Sequence, residues 1–528
     1  MQSYRLTIDR FLDHAAKWWG EREVVTAETG RIGYAALRER SNRLSGALGR
    51  LGLQFGERVG TLAWNTQHHL EIYYAAMGAG YVCHTLNPRL TVAHLAAMVN
   101  EAQDRVLAVG AGLCDLAAAL AANCPSIEAV VVLDGERADS NAFGGRQTFD
   151  LEGLLGTLGT GTHWGDFPEE SPSGLCYTSG TTGPPRGVLY THRSSYLHTL
   201  RALQADALAL TASDAVLVAV PMFHANAWGF PFAAPAVGAK LVLTGRHADG
   251  ARLAALIRTE AVTVAAGVQT VWQGLLDYLD GEGGDVPSLE RVVIGGAPCP
   301  DALIQRMETR LRARVQTSWG MTELSPLGTI APPRGGGRAV ASGRPPVGLD
   351  LKLTDVAGAT LPQQRNVSGH LKVKGASVVD RYFGAQHSAL DAEGYFDTGD
   401  LATIDDQGNL TICGRTKDLI KSGGEWINPG EIESLIGRLP GVGQVAVIGQ
   451  VDAKWGERPV LVVEPQKSHT LEDEVLLKAL RGKVADWWIP DRVIQVSSMP
   501  LSVTGKIDKV RLRAQYGTQA PPGTPGRR

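Results

Sequence analysis

Residues 177–187 read YTSGTTGPPRG: four serine and threonine hydroxyls, three glycines and an arginine between two apolar runs. Small residues let backbone N–H groups approach an anion and hydroxyls add further donors, so the stretch could cradle phosphate. The same residues build ordinary solvent-facing turns. No Gly-Lys-Ser/Thr follows, which excludes the P-loop ATPase pattern. Five further polar or glycine-rich clusters interrupt the apolar background: PMFHANAWG (221–229), GGAP (295–298), SWGMTE (318–323), YFDTGD (395–400) and PLSVTGK (500–506). Taken singly, each cluster also has a plain structural reading: a turn at DTGD, core residues at His224 and Trp228, a surface charge at Lys506.

Together and in this order, the six clusters resemble those of the adenylate-forming enzymes, in the branch of acyl-CoA synthetases acting on medium- and long-chain fatty acids. The likeness runs from TLNPRL (85–90) to Lys506. It implies that Thr178, Ser179, Gly180, Thr181, Thr182, Gly183 and Arg186 form a loop around the β- and γ-phosphates of ATP. Arg186 stands where the family usually has lysine; it keeps the charge but is bulkier and forked. In SWGMTE, with Ser318, Gly320 and Met321, the resemblance implies that Trp319 stacks on adenine and Thr322 meets the α-phosphate. Glu323 would hold Mg²⁺ with help from Thr181. Asp400 and Arg415 would contact ribose, and Gly296, Ala297 and Pro298 would edge the acyl pocket on its adenine side. Cys299 beside them reads as a small buried filler.

By the same resemblance, His224 and Trp228 border the acyl tunnel, with Trp228 as its gate. In KSGGEWI (421–427), Lys421 and Trp426 would contact the adenylate, and Gly424 would line the pantetheine passage. Lys506 would be the catalytic lysine, carried by a small domain that turns about Lys417. The implied reaction is ATP-dependent activation of an aliphatic carboxylate as acyl-AMP and its transfer to coenzyme A. Open alternatives are an acyl-AMP ligase loading a carrier protein, a luciferase-like oxygenase, and a noncatalytic acyl- or nucleotide-binding paralogue. Acyl chain length is not legible.

The elements that must position these residues follow from composition and pattern. With 528 residues, 44% hydrophobic and 20% charged, the chain has material for more than one globular domain. A net charge of -3 argues against a nucleic-acid binder, and Arg306, Arg310, Arg312 and Arg314 read as a solvated helix face. Six scattered cysteines without metal-like spacing suggest a reducing, cytoplasmic setting. The uncharged span Ala215 to Ala239 contains Pro221, Pro231 and Pro235, which speaks against a transmembrane helix. The resemblance to the long-chain branch favours a homodimer.

The helical Leu113 to Ala122 precedes the apolar run Ala129 to Leu133. Similar runs recur at Ala215 to Val220, Lys240 to Leu243, Val262 to Ala266 and Arg291 to Ile294. This alternation predicts an α/β fold with mainly parallel sheet and ligand loops at strand ends. After about residue 350 shorter strands and turns suggest antiparallel pairing. The expected organisation is a large N-terminal domain of layered α/β subdomains (1–416), a small mobile α+β C-terminal domain (417–515) and a disordered tail (516–528).

Overall fold

The computed structural model describes residues 1–27, 30–135, 140–178, 185–333, 341–423, 425–466, 469–502 and 506–518. Among these residues the strands form four sheets. One has eight strands in the order 327–330, 314–320, 291–295, 264–268, 215–218, 240–243, 23–26, 30–33. Its six inner strands run parallel and each outermost strand pairs antiparallel with its neighbour. A second, of seven strands, runs 147–150, 129–132, 104–109, 58–62, 82–85, 172–177, 187–191 and is parallel except for its last pair. Valine-, isoleucine- and leucine-rich runs such as Val292, Val293 and Ile294 are buried, as expected where helices cover both faces.

The predicted runs fold as strands with modest changes of boundary: Ala129–Val132, Ala215–Val218, Lys240–Leu243, Arg291–Gly295, and Val264–Val268 in place of a start at Val262. The helix before the first of them spans Cys114–Ala122. The uncharged span 215–239 divides into a strand, a turn and the helix Phe230–Val237, and among the described residues no helix is long and apolar enough to cross a membrane.

Beyond residue 349 the named strands pair antiparallel, apart from the parallel pair Gly456–Pro465 and Arg492–Gln495. Strands Leu349–Thr354, Ser368–Gly375, Phe396–Ile404 and Leu410–Arg415 make a four-stranded sheet. A five-stranded sheet then follows from the hairpin Ile420–Ser422/Glu425–Ile427, the long pair Val442–Asp452/Gly456–Pro465, and Arg492–Gln495. Its core is aliphatic, from Ile420, Ile427, Ile432, Ile436, Leu461 and Val463.

Two readings of the sequence change. Of the four arginines, only Arg306 and Arg310 share the helix Asp301–Leu311; Arg306 pairs with Asp277 and Asp280 at 2.8 and 2.7 Å and Arg310 with Asp280 at 2.9 Å, while Arg312 caps the helix in the left-handed region and Arg314 starts a strand. Tyr516, assigned by composition to the tail, closes the helix Lys509–Tyr516, and its carbonyl accepts from Gln450 Nε2 at 2.9 Å.

Candidate active site

Strands Arg314–Gly320, Arg291–Gly295, Val264–Val268 and Ala215–Val218 lie side by side and parallel, so the segments leaving their C-terminal ends emerge along one edge. Those segments are Met321–Glu323, Gly296–Pro298, Gln269 onward, and Pro221–Gly229. Loops at the carboxyl ends of parallel strands are where α/β folds bind ligands. Gly296, Ala297 and Pro298 are exposed along this edge. The 178–186 segment joins Pro172–Tyr177 to its antiparallel neighbour Gly187–Thr191. Its base is closed by Thr178 N–H donating to the Arg186 carbonyl at 3.0 Å and Arg186 N–H donating to Thr178 Oγ1 at 3.2 Å. Ser179, Gly180, Thr181, Thr182 and Gly183 lie outside the described residues, as does Gly424.

Trp319 and Asp400 meet although 81 residues apart: Trp319 Nε1 donates to Asp400 Oδ2 at 2.9 Å. Arg415, directly across the strand pair from Asp400, places Nε 2.6 Å from Oδ1. Asp400 is 1% exposed. Burial raises its pKa, and the Arg415 charge, the Trp319 hydrogen bond and Lys506 oppose the rise. Trp319 is seated on Gly328, where a Cβ would lie 2.4 Å from the ring, so only glycine leaves it room. Gly320 is equally constrained, since its Cβ would stand 2.3 Å from the Pro326 carbonyl oxygen.

Lys506 comes from near the C-terminal end of the chain, yet its Cε lies 3.9 Å from where a Cβ on Gly296 would be. Burial pulls its ammonium down to about 8. Arg415 and Lys417 push the same way, while Asp400 and Glu323 oppose. His224 faces the same space: burial, and then the Lys506 charge, lower it to about 4, so it is neutral at physiological pH. Trp228, four residues after His224, has its Cη2 3.2 Å from the position of a Cβ on Gly295, and Ser318 Oγ donates to the Ile294 carbonyl at 3.0 Å beside it.

The turn that delivers Trp228 has a backbone the sequence does not announce. Ala225, Asn226, Ala227, Trp228 and Gly229 have φ of 43°, 52°, 47°, 57° and 82°. Four successive non-glycine residues in the left-handed region cost about 1–2 kcal/mol each. Such strain persists where surrounding structure over-determines it. Here Cys176 Sγ contacts Asn226 Oδ1 at 3.7 Å and Ala227 N–H returns to the His224 carbonyl at 3.0 Å.

Glu323, 7% exposed, accepts from the Tyr382 hydroxyl at 2.8 Å on Oε1. Among the described residues no group of three or more His, Cys, Asp or Glu could hold a metal ion. A single buried carboxylate such as Glu323 suits a hard cation that takes its other oxygens from elsewhere. Thr322 is buried, and its carbonyl accepts from Tyr190 at 2.8 Å. Met321 packs partly buried beside Trp319. Beneath this turn Arg201, 4% exposed, donates to Ser377 Oγ at 2.8 Å and to the Leu324 and Leu327 carbonyls. Neither Arg201 nor Tyr382 belongs to any sequence cluster, and only packing reveals them.

Lys417 sits in the turn Thr416–Asp418, with burial lowering its pKa. Lys421 and Trp426 face each other on the exposed hairpin, the ammonium 5.4 Å from the ring centroid and Trp426 48% exposed. The Trp319–Asp400–Arg415 cluster is built without them. Cys299 is partly buried, and burial pushes its thiol up to about 12.

Residues 12–383 match the family described as AMP-binding enzyme, and residues 431–506 match the AMP-binding enzyme C-terminal domain. The chain belongs to the AMP-binding enzyme family. Within it, the chain is 42% identical to a 3-methylmercaptopropionyl-CoA ligase of Ruegeria lacuscaerulensis, over 98% of each chain. It is also 42% identical to a medium-chain-fatty-acid–CoA ligase of Ectopseudomonas oleovorans, covering 98% of this chain and 97% of the relative. The crystal structure of ATP-bound MatB from Rhodopseudomonas palustris superposes with a TM-score of 0.84 at 26% identity, covering 97% of this chain and 99% of that one.

Proposed function

We propose that this AMP-binding enzyme is an AMP-forming acyl-CoA synthetase that joins an aliphatic carboxylate to AMP and passes the acyl group to coenzyme A. The observation that carries the reading is the approach of Lys506 to Gly296 at the end of a parallel strand, beside the strand whose Trp319 meets Asp400. The names of the relatives, ligases of CoA with a thioether acid and a medium-chain fatty acid, support it. A carboxylate oxygen attacks the α-phosphorus of ATP, and the bond to the β-phosphate breaks to release pyrophosphate. An anion must approach a polyanion, so fixed positive charge lowers the barrier. Lys506 and Arg186 supply that charge, and Asp400 with Arg415 and Trp319 orients the nucleoside. Bound Mg²⁺ would neutralise phosphate charge beside Glu323, with Thr181 as the second ligand.

In the second step the CoA thiol attacks the acyl carbon, AMP leaves with the bonding electron pair, and the thiol proton passes to solvent. Lys506 stands where that thiol must enter, so a large unit of residues 1–416 and a small one of 417–515 would rotate about Lys417 between steps. Lys421, Gly424 and Trp426 would then reach the site. The place of Lys421 and Trp426 on an exposed hairpin, outside the hydrogen bonds that hold Asp400, supports a role in that second arrangement. Gly296, Ala297, Pro298 and the Trp228 turn would bound the acyl pocket. A homodimer in the cytoplasm completes the reading and is tested by sedimentation and fractionation. The main test is thioester formation from acids of graded length with ATP, Mg²⁺ and CoA. Acyl-CoA should accumulate with aliphatic acids and in step with AMP; AMP release that CoA fails to stimulate refutes the CoA-acceptor reading.

A further inference from the structure

The segment 379–383 is fastened at both ends to two different parts of the site. Val379 N–H donates to the Glu323 carbonyl at 2.8 Å, and Phe383 N–H donates to the Gly187 carbonyl at 2.7 Å. Between those anchors Tyr382 reaches both side chains at once. Its hydroxyl donates to Glu323 Oε1 at 2.8 Å, and the Arg186 guanidinium carbon lies 4.6 Å from its ring centroid. Phe396 holds the ring from another side, edge-on at 6.4 Å.

A guanidinium and a carboxylate this close to one tyrosine would otherwise tend toward a bidentate pair with each other. Such a pair would occupy the two groups that phosphate and metal need. A cation over an aromatic face keeps its N–H donors free at the ring's edge, and a hydroxyl on one carboxylate oxygen leaves the second to a cation. We infer that Tyr382 is a positioning residue that separates Arg186 from Glu323 and aims both, linking the phosphate segment to the metal carboxylate. This rests on the reading of Glu323 as the metal ligand given above.

The test is a Mn²⁺ titration followed by electron paramagnetic resonance, in the presence of a nonhydrolysable ATP analogue, on the full chain and its Tyr382→Phe and Glu323→Gln variants. Phenylalanine keeps the ring for Arg186 and Phe396 and removes only the hydroxyl, and a calorimetric melt confirms that each variant is folded. Tyr382→Phe should weaken Mn²⁺ binding about tenfold, the loss of one hydrogen bond to a charged group. Metal-free binding of the analogue should be unchanged. A Tyr382→Phe chain that binds Mn²⁺ as tightly as the native one, while Glu323→Gln binds it weakly, overturns the inference alone. If Glu323→Gln also binds Mn²⁺ normally, the metal reading falls and the inference with it.

Discussion

Lys506 offers the sharpest test of the chemistry, because burial brings its pKa to about 8, within reach of ordinary buffers. On the proposed role its charge serves the acyl-AMP-forming step, and that charge is lost as pH rises through that value. About nine-tenths of the free enzyme carries the ammonium at pH 7 and about one-tenth at pH 9. The kcat/KM for ATP reports ionisations of the free enzyme. In ATP–pyrophosphate exchange at low ATP, it should therefore fall about tenfold between those pH values. Bound phosphates would raise the pKa, so kcat at saturating ATP should fall later. Lys506→Ala should lower exchange by about 10²–10³-fold, as loss of one preorganised group at developing charge does. Thioester formation from supplied acyl-AMP should suffer far less. Lys506→Arg, charged throughout, should remove the alkaline limb even where its bulk lowers the rate. A flat kcat/KM from pH 7 to 9, or an alanine variant exchanging at the native rate, would refute the assignment.

Two further substitutions test the nucleoside side. Gly328→Ala puts a Cβ 2.4 Å from the Trp319 ring; overpacking of that kind costs about 1–3 kcal/mol, so calorimetry should show a lower Tm and kinetics a higher KM for ATP. Asp400→Asn removes the charge held between Trp319 and Arg415; the KM for ATP should rise about ten- to a hundredfold, with a small change in Tm because Arg415 is 39% exposed and regains water. An unchanged KM in the asparagine variant contradicts the ribose role.

Much of the fold was legible because its strands are apolar runs of limited length bounded by turn residues, a pattern that local sequence carries. Boundaries shifted where tertiary pairing decided them, as at Val264–Val268, whose partner strand Arg291–Gly295 extends the ladder to Val268. The clusters around Thr178, Trp319, Asp400 and Lys506 were equally visible, because each gathers polar residues and glycine into a short stretch that stands out from its apolar surroundings.

Sequence alone thus determined the strand-and-helix alternation, the polar clusters and the family they resemble, since these depend on residue type and local spacing. Tertiary structure alone decided which clusters meet. It brought Asp400 to Trp319 and Lys506 to Gly296, and it set Tyr382 between Arg186 and Glu323. It also wound Ala225–Gly229 through the left-handed region. Those outcomes arise from the packing of segments distant along the chain, and burial there, more than residue identity, moved Lys506 and His224 away from their ordinary ionisation.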